Sequence, residues 1–201
     1  MSDSDFKTLA QAVEAFELDI TERRQVIDAQ PVAPSPFLQQ VFERELDWAI
    51  AVATEQSRRE ALTHNILLEV REHQQRRVSV FSGRDFTVDP TAGLNGYCDY
   101  LISLSATQSV ITAPVVVIAK AKKGDVDLGL GQCVAGMVGA QRFNQAHKQP
   151  LPKVYGAVTS GTVWKFLALE GQTLQLDLTE YAVPPVDTVL GILAAITRGN
   201  P

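Results

Sequence analysis

The spacing of apolar and polar positions predicts that the first third of the chain is helical. From residue 5 to residue 28, apolar side chains recur at intervals of three, four and seven, which indicates one amphipathic helix. Three prolines between positions 31 and 36 then predict a stiff connector. Two further helices are predicted, from Phe37 to about Thr54 and from Ser57 to about Arg77.

After Arg77 the period changes to that of β-strands. "VSVFSG" and "DFTVD" predict two short strands around a turn at Ser82 and Gly83, and "GYCDYLISL" predicts a third. The unbroken apolar run in "APVVVIAKAKK" is typical of a central strand covered on both faces. A helix from about Asp125 to His147, three strands in "KVYGAVTSGTVWKFLALEGQTLQLDL" and a helix from Pro185 to Arg198 complete the chain. This order predicts an α/β protein of the α+β type, with a mixed β-sheet flanked by helices.

The 201 residues are enough for one hydrophobic core with a helical extension. We expect residues 1–36 to form an N-terminal amphipathic helix with a Pro-rich connector, and residues 37–201 to form the core. Such an extension is typical of a lid on the same core or of a dimerising arm. A homodimer is the expected assembly.

Composition narrows the location and the class of partner. The net charge of −5 counts against indiscriminate coating of nucleic acid, although it leaves room for a local basic cleft. No uninterrupted apolar run reaches the length of about 18 residues that a membrane span needs, and the first residues are polar and acidic. We therefore expect a cytoplasmic protein with no membrane segment. Cys98 and Cys133 form no CxxC pair, which favours reduced thiols.

Candidate chemistry lies where two predicted strands meet. If "GYCDYLISL" and "APVVVIAKAKK" are antiparallel neighbours joined near Ser109 and Val110, paired residue numbers add up to 219 and Asp99 lies opposite Lys120. Lys120 and Lys122 point to one face because side chains alternate along a strand. The pattern predicts a carboxylate and two ammonium groups at one end of a buried sheet. Taken alone, Asp99 and Lys122 also fit a structural ion pair at a sheet edge.

These residues carry a resemblance to a known family. Asp99 in "GYCDYLIS", followed by "PVVVIAKAKK" and then by a helix with "GLGQC", resembles the PD-(D/E)xK nuclease superfamily over residues 57 to 170. "GAVTSGTVWKFLALEG" is similar to a later strand pair of restriction-endonuclease-like members. The resemblance implies a restriction-endonuclease-like core that hydrolyses DNA phosphodiesters with Mg²⁺ or Mn²⁺. Asp99 and the carbonyl of Ala121 would then be metal ligands, and Lys122 would assist the attacking water.

One motif position departs from the family. Lys120 stands where the resemblance requires a metal-binding Glu. Exchanging an anion for a cation reverses an interaction of about 4 kcal/mol per unit-charge pair at about 4 Å and an effective dielectric constant of about 20. Metal binding is therefore expected to be weak or absent, and hydrolysis impaired or lost.

Other residues are assigned supporting roles. Glu60 on the first core helix and Gln132 on the helix after the motif resemble polar groups that relatives direct at the site, although Glu60 also fits a capping box with Ser57. Lys123 fits either a solvated lysine at the strand end or a phosphate contact. Basic residues expected to contact phosphates of nucleic acid are Arg58, Arg59, Arg84, Lys120, Lys122, Lys123 and Arg142.

Three functions remain open from the sequence. The first is a metal-dependent DNA nuclease that uses Asp99 and Lys122. The second is a relative without the reaction, in which Lys120 contacts an anionic ligand or nucleic acid, or forms a salt bridge with Asp99 or Glu60. The third is a dimeric assembly module that acts through the N-terminal helix.

Overall fold

The computed structural model describes residues 6–122 and 124–198, and eight strands within them form one mixed sheet. The strands are β1 (Asp19–Arg23), β2 (Ser79–Asp85), β3 (Tyr97–Ser103), β4 (Val115–Ala121), β5 (Val154–Thr159), β6 (Val163–Glu170), β7 (Thr173–Asp177) and β8 (Tyr181–Ala182). Their spatial order is β1-β7-β6-β5-β4-β3-β2, and β8 pairs with β6. The β4–β5 and β1–β7 pairs are parallel and the other pairs are antiparallel. The predicted mixed sheet is confirmed.

Helices cover both faces of the sheet. They are α1 (Leu9–Ala15), α2 (Pro36–Val52), α3 (Glu55–Arg58), α4 (His64–His73), α5 (Leu130–Ala146) and α6 (Asp187–Thr197). Residues of α1 and α5 share one apolar core with Ile118 of β4, whereas residues of α2, α4 and α6 share the opposite core with Val117. Within the described ranges, no helix combines the length and apolar character needed to cross a bilayer.

The central strand and its antiparallel neighbour have the predicted register. All seven residues of β4 are buried. Tyr100 pairs with Ala119 and Leu101 pairs with Ile118, so paired residue numbers add up to 219 as expected. After β4, a 3-10 turn (Val126–Gly129) and α5 carry the chain across one face to the parallel strand β5. Such a crossover is the usual way to join parallel strands.

The single helix predicted over residues 5–28 is wrong. α1 ends at Ala15, Glu17 has a positive φ of 52°, and β1 then pairs in parallel with β7. Backbone pairing with an edge strand thus outweighs the helical spacing of the apolar residues. Phe6 and Ala12 are buried against α5, so this segment contributes to the same core and sheet as the rest of the chain.

Two local predictions also fail. The turn at Ser82 and Gly83 lies inside the continuous strand β2, where Gly83 has a φ of 59° and marks an irregularity of the kind glycine allows. The capping box does not begin at Ser57. Thr54 is the N-cap of α3, and Ser57 is its partner three residues later.

Candidate functional site

A row of four residues crosses the middle of the sheet. Val158 of β5 pairs with Lys120 of β4 on one side and with Lys165 of β6 on the other. Continuing the β3–β4 register by one residue places Asp99 opposite Lys120. Residues in register on neighbouring strands lie on the same face. We call Asp99, Lys120, Val158 and Lys165 the central row.

The Asp99 carboxylate connects three elements. Its Oδ2 accepts a hydrogen bond from the Ala121 N–H at 3.0 Å, which joins β3 to β4. Its Oδ1 lies 4.0 Å from Nη1 of Arg59. A donor or a cation therefore approaches each carboxylate oxygen, and Ala121 contacts Asp99 through its amide.

Lys120 occupies the interior of this site. The residue is 4% exposed, and its Nζ donates to the Tyr97 carbonyl at 3.2 Å. Burial raises the pKa of the neighbouring Cys133 thiol to about 12, and the positive charge of Lys120 opposes that shift. The position where the nuclease resemblance calls for a carboxylate thus holds a buried lysine beside a neutral thiol.

Lys122 lies at the end of β4, where the site meets α5. Its Nζ donates to Oε1 of Gln132 at 2.7 Å, and its backbone N–H donates to the Thr159 carbonyl. Among the described residues, no carboxylate forms an ion pair with this ammonium group. The half-buried charge of Lys122 is thus held by a neutral amide.

The turn before α5 lies against the central row. A Cβ added to Gly129 would approach Val158 Cγ1 to 2.5 Å and Lys122 Cγ to 3.1 Å, so glycine permits this contact. In the same turn, Asp127 Oδ1 accepts a hydrogen bond from Lys165 Nζ at 2.8 Å. Lys165 is buried whereas Asp127 is exposed, so the pair reaches from the row to the surface.

A π-helical turn (Arg59–Thr63) positions Arg59 beside Asp99. The Arg59 carbonyl accepts both the His64 N–H and the Tyr100 hydroxyl, the latter at 3.1 Å. Burial raises the pKa of Tyr100 to about 12, and the charge of Arg59 opposes the shift. A hydroxyl that stays protonated thereby anchors the turn, and π-helical turns are frequent at functional sites.

The structure brings together only part of the predicted set. Glu60 is exposed, and its carboxylate accepts a hydrogen bond from the Gln56 side chain at 2.9 Å. Its negative charge contributes to the raised pKa of Tyr100. Arg84 is exposed on β2, in register with Cys98. Arg58 packs against Gly161 in the turn between β5 and β6.

One predicted phosphate contact lies away from the site in the described structure. Arg142 is ten residues beyond Gln132 on α5, about 15 Å along the helix. It pairs with Asp89 at 2.7 Å instead. Lys123 lies outside the described residues.

Lys165 and Asp127 were missed in the sequence. Lys165 interrupts the apolar strand "VWKFLALE", and a lysine there is unusual unless it has a partner. Because the predicted turn at Ser160 and Gly161 joins β5 to β6, it places Lys165 near the position opposite Val158. The place of Val158 beside Lys120 depends on a parallel register, which no short turn sets.

The donor atoms at this site do not fit the metal that the resemblance implies. Mg²⁺ prefers six oxygen ligands, including carboxylates. Across residues 6–122 and 124–198, no group of three or more His, Cys, Asp or Glu side chains is placed to hold a metal ion. Asp99 is instead surrounded by an amide, a guanidinium group and the strand position of Lys120.

The chain matches no protein-family model, no curated protein and no solved structure. The resemblance to PD-(D/E)xK nucleases thus depends on the motif residues and on the geometry of their strands alone.

Proposed function

We propose that this chain is a restriction-endonuclease-like relative of the PD-(D/E)xK nucleases that binds phosphate groups of nucleic acid without a divalent metal and does not hydrolyse them. The kinship is supported by the two motif strands, which are adjacent and antiparallel. It is also supported by α5, which follows the second motif strand and places Gln132 within hydrogen-bonding distance of Lys122. The chemistry is inferred from the charges in the site.

The observation that carries the proposal is the pairing of Lys122 with a neutral partner. Its ammonium group is half-buried and is held 2.7 Å from the Gln132 amide oxygen. Lys120 and Lys165 lie buried in the adjacent row. A buried or half-buried cation is stabilised by an anion, and a phosphate oxygen would supply one to Lys122.

Hydrolysis is less well supported because, within residues 6–122 and 124–198, no group of three or more His, Cys, Asp or Glu side chains is placed to hold an ion that would activate water. In metal-dependent phosphodiester cleavage, the ion polarises a phosphoryl oxygen and acidifies bound water. A buried ammonium at position 120 repels such an ion. Lys122 can still stabilise charge on a phosphate, but this role alone produces binding and not cleavage.

Nucleic acid is the anionic ligand that best matches the basic residues around the site. Arg59 lies beside Asp99, and the exposed Arg84 extends the basic character to the edge strand. The chain as a whole carries a net charge of −5, so attraction is confined to this local region. Two to four phosphate contacts give a slope of about −2 to −4 for log K against log salt on duplex DNA.

The test measures binding and cleavage separately. Fluorescence anisotropy of labelled single-stranded and duplex DNA is recorded in EDTA over a range of salt, with wild type and Lys122→Ala. We expect binding in EDTA, and a loss of about one unit of salt slope in Lys122→Ala, since one phosphate contact is removed. Incubation of wild type with circular and linear DNA in Mg²⁺ or Mn²⁺ is expected to leave the DNA intact.

Lys153→Ala is the matched control, because Lys153 pairs with Glu170 at 3.4 Å just before β5. This variant should bind like wild type. Robust cleavage by wild type that Lys122→Ala abolishes would show an active nuclease instead. Absence of binding in EDTA, or equal losses in Lys122→Ala and Lys153→Ala, would refute the phosphate site.

A further inference from the structure

Helix α2 carries two apolar stripes, and only one of them is covered. Leu38 and Ala49 are fully buried, and Phe42 and Leu46 pack partly against the same side of the core. The second stripe consists of Phe37, Val41, Trp48 and Val52. Phe37 is 67% exposed, Trp48 51% and Val52 45%.

The second stripe runs along the helix as two apolar pairs, Phe37 with Val41 and Trp48 with Val52, and the charged Arg44 and Glu45 lie between the pairs. At about 100° per residue, its four members fall within about 60° of one another, roughly a quarter turn from the buried stripe. The helix has 17 residues and is about 25 Å long, so the stripe spans most of its length. Apolar side chains that line up in this way indicate a contact surface, whereas scattered ones do not.

The stripe is symmetric about its own midpoint. Reversing the helix around the point between Arg44 and Glu45 exchanges Phe37 with Val52 and Val41 with Trp48. The same operation exchanges Arg44 with Glu45. Each apolar position therefore maps onto an apolar one, and the basic residue maps onto the acidic one.

We propose that this stripe is the interface with a second copy of the chain, in which two α2 helices pack antiparallel across a two-fold axis between residues 44 and 45. A two-fold interface needs a surface complementary to itself, so that residue i contacts residue j and residue j contacts residue i. Arg44 and Glu45 already form an ion pair at 2.8 Å within the chain. Across the axis, two such pairs meet with opposite charges facing each other.

A groove beside the stripe can accommodate Trp48, the largest side chain of the stripe. Phe37, Val41, Arg44 and Asn65 of α4 line a groove along α2. In the proposed register, Trp48 of the second copy lies opposite Val41 and enters this groove. A tryptophan seated in a pocket at the centre of an interface is a typical source of binding energy.

The N-terminal segment is less suited to this role. Phe6 and Ala12 are buried in the core of their own chain, and α1 packs on α5. Release of α1 would expose that core. A dimer through α2 requires no rearrangement of this kind.

Sedimentation velocity of the full chain over a concentration range of about 1 to 200 µM tests the proposal. A contact between two single helices is small, so we expect a dissociation constant on the order of micromolar. Trp48→Glu and Arg44→Glu should each weaken the dimer at least tenfold, the first by placing a charge in the groove and the second by setting like charges against each other. Arg44→Glu combined with Glu45→Arg should restore it, because the exchange recreates the complementary pairs.

Ile50→Glu is the matched control. Ile50 is 45% exposed, as is Val52, but it projects from the opposite side of α2. Thermal unfolding verifies that each variant is folded. A wild type that stays monomeric at 200 µM overturns the proposal, as does a dimer that Ile50→Glu weakens as much as Trp48→Glu does. Failure of the charge exchange to restore the dimer rejects the antiparallel register.

Discussion

The N–H of Ala121 donates to Oδ2 of Asp99 at 3.0 Å, so the first acidic motif residue links the ends of two strands. The other oxygen of this carboxylate lies 4.0 Å from the Arg59 guanidinium. Lys120, next to Ala121, places a buried cation where the nuclease resemblance requires a carboxylate. Residue 120 is therefore the position at which a substitution most sharply changes the chemistry of the site.

Lys120→Glu is expected to make the thermal stability of the protein depend on a divalent metal. Without metal, a buried carboxylate at position 120 beside the partly exposed Asp99 should lower the unfolding free energy by about 1 to 3 kcal/mol. With Mn²⁺ at about a hundred times its dissociation constant, binding to the native state should raise the unfolding free energy by about 2.7 kcal/mol. For a chain of this size, that gain raises the melting temperature by about 5 to 11 °C. Thermal unfolding in Mn²⁺ and in EDTA measures both effects.

Lys120→Gln separates loss of the lysine from gain of a ligand. This variant removes the positive charge but adds no carboxylate, so it should melt at the same temperature with and without Mn²⁺. Equal Mn²⁺ responses in wild type, Lys120→Gln and Lys120→Glu would contradict the assignment of residue 120 to the metal position.

Gly129→Ala should disturb the site from the other side of the central row. The added Cβ would lie 2.5 Å from Val158 Cγ1 and 3.1 Å from Lys122 Cγ, so the turn or the lysine must move. We expect a loss of about 1 to 3 kcal/mol in unfolding free energy and weaker DNA binding. Gly124→Ala is the comparison, since nothing lies within 4 Å of its added Cβ. Urea unfolding that finds both variants equally stable would contradict the close packing at Gly129.

Gln132→Glu is predicted to weaken DNA binding without unfolding the protein. The new carboxylate would pair with Lys122 at the present 2.7 Å contact and so neutralise the charge available to phosphate. DNA affinity should fall about as far as in Lys122→Ala, while unfolding free energy changes by about 1 kcal/mol or less. Gln132→Met removes the contact but adds no charge, and its affinity should stay close to wild type. Equal affinity losses in both variants would argue for a purely structural role of Gln132.

The motif strands were predictable because their information is local. The apolar run of β4 indicates a strand buried on both faces, and a single hairpin connection sets its register against β3. Asp99 opposite Lys120 follows from that register. The contact of Gln132 with Lys122 needs in addition only that α5 return across the same end of the sheet.

The remaining parts of the fold depend on pairing between distant segments. All five residues of β1 are exposed, and the strand is held by backbone bonds to β7, which side-chain periodicity does not report. The parallel register of β4 and β5 spans a whole helix, so the neighbourhood of Lys165 and Lys120 could not be read from turn lengths. Ser82 and Gly83 are residue types that favour turns, yet β2 continues through them.

Alkaline pH should destabilise the fold through Tyr100. Burial raises its pKa from 10.0 to about 12, so the native state favours the protonated hydroxyl that contacts the Arg59 carbonyl. This contribution is complete below about pH 10 and disappears as the pH rises towards 12, because the unfolded chain then releases the proton more readily. Between pH 9 and pH 11, wild type should lose about 1 kcal/mol more unfolding free energy than Tyr100→Phe, as measured by urea denaturation. Tyr97→Phe replaces an exposed tyrosine of the same strand and should follow wild type. If Tyr100→Phe loses stability as steeply as wild type over this range, the buried hydroxyl does not anchor the π-helical turn in the proposed way.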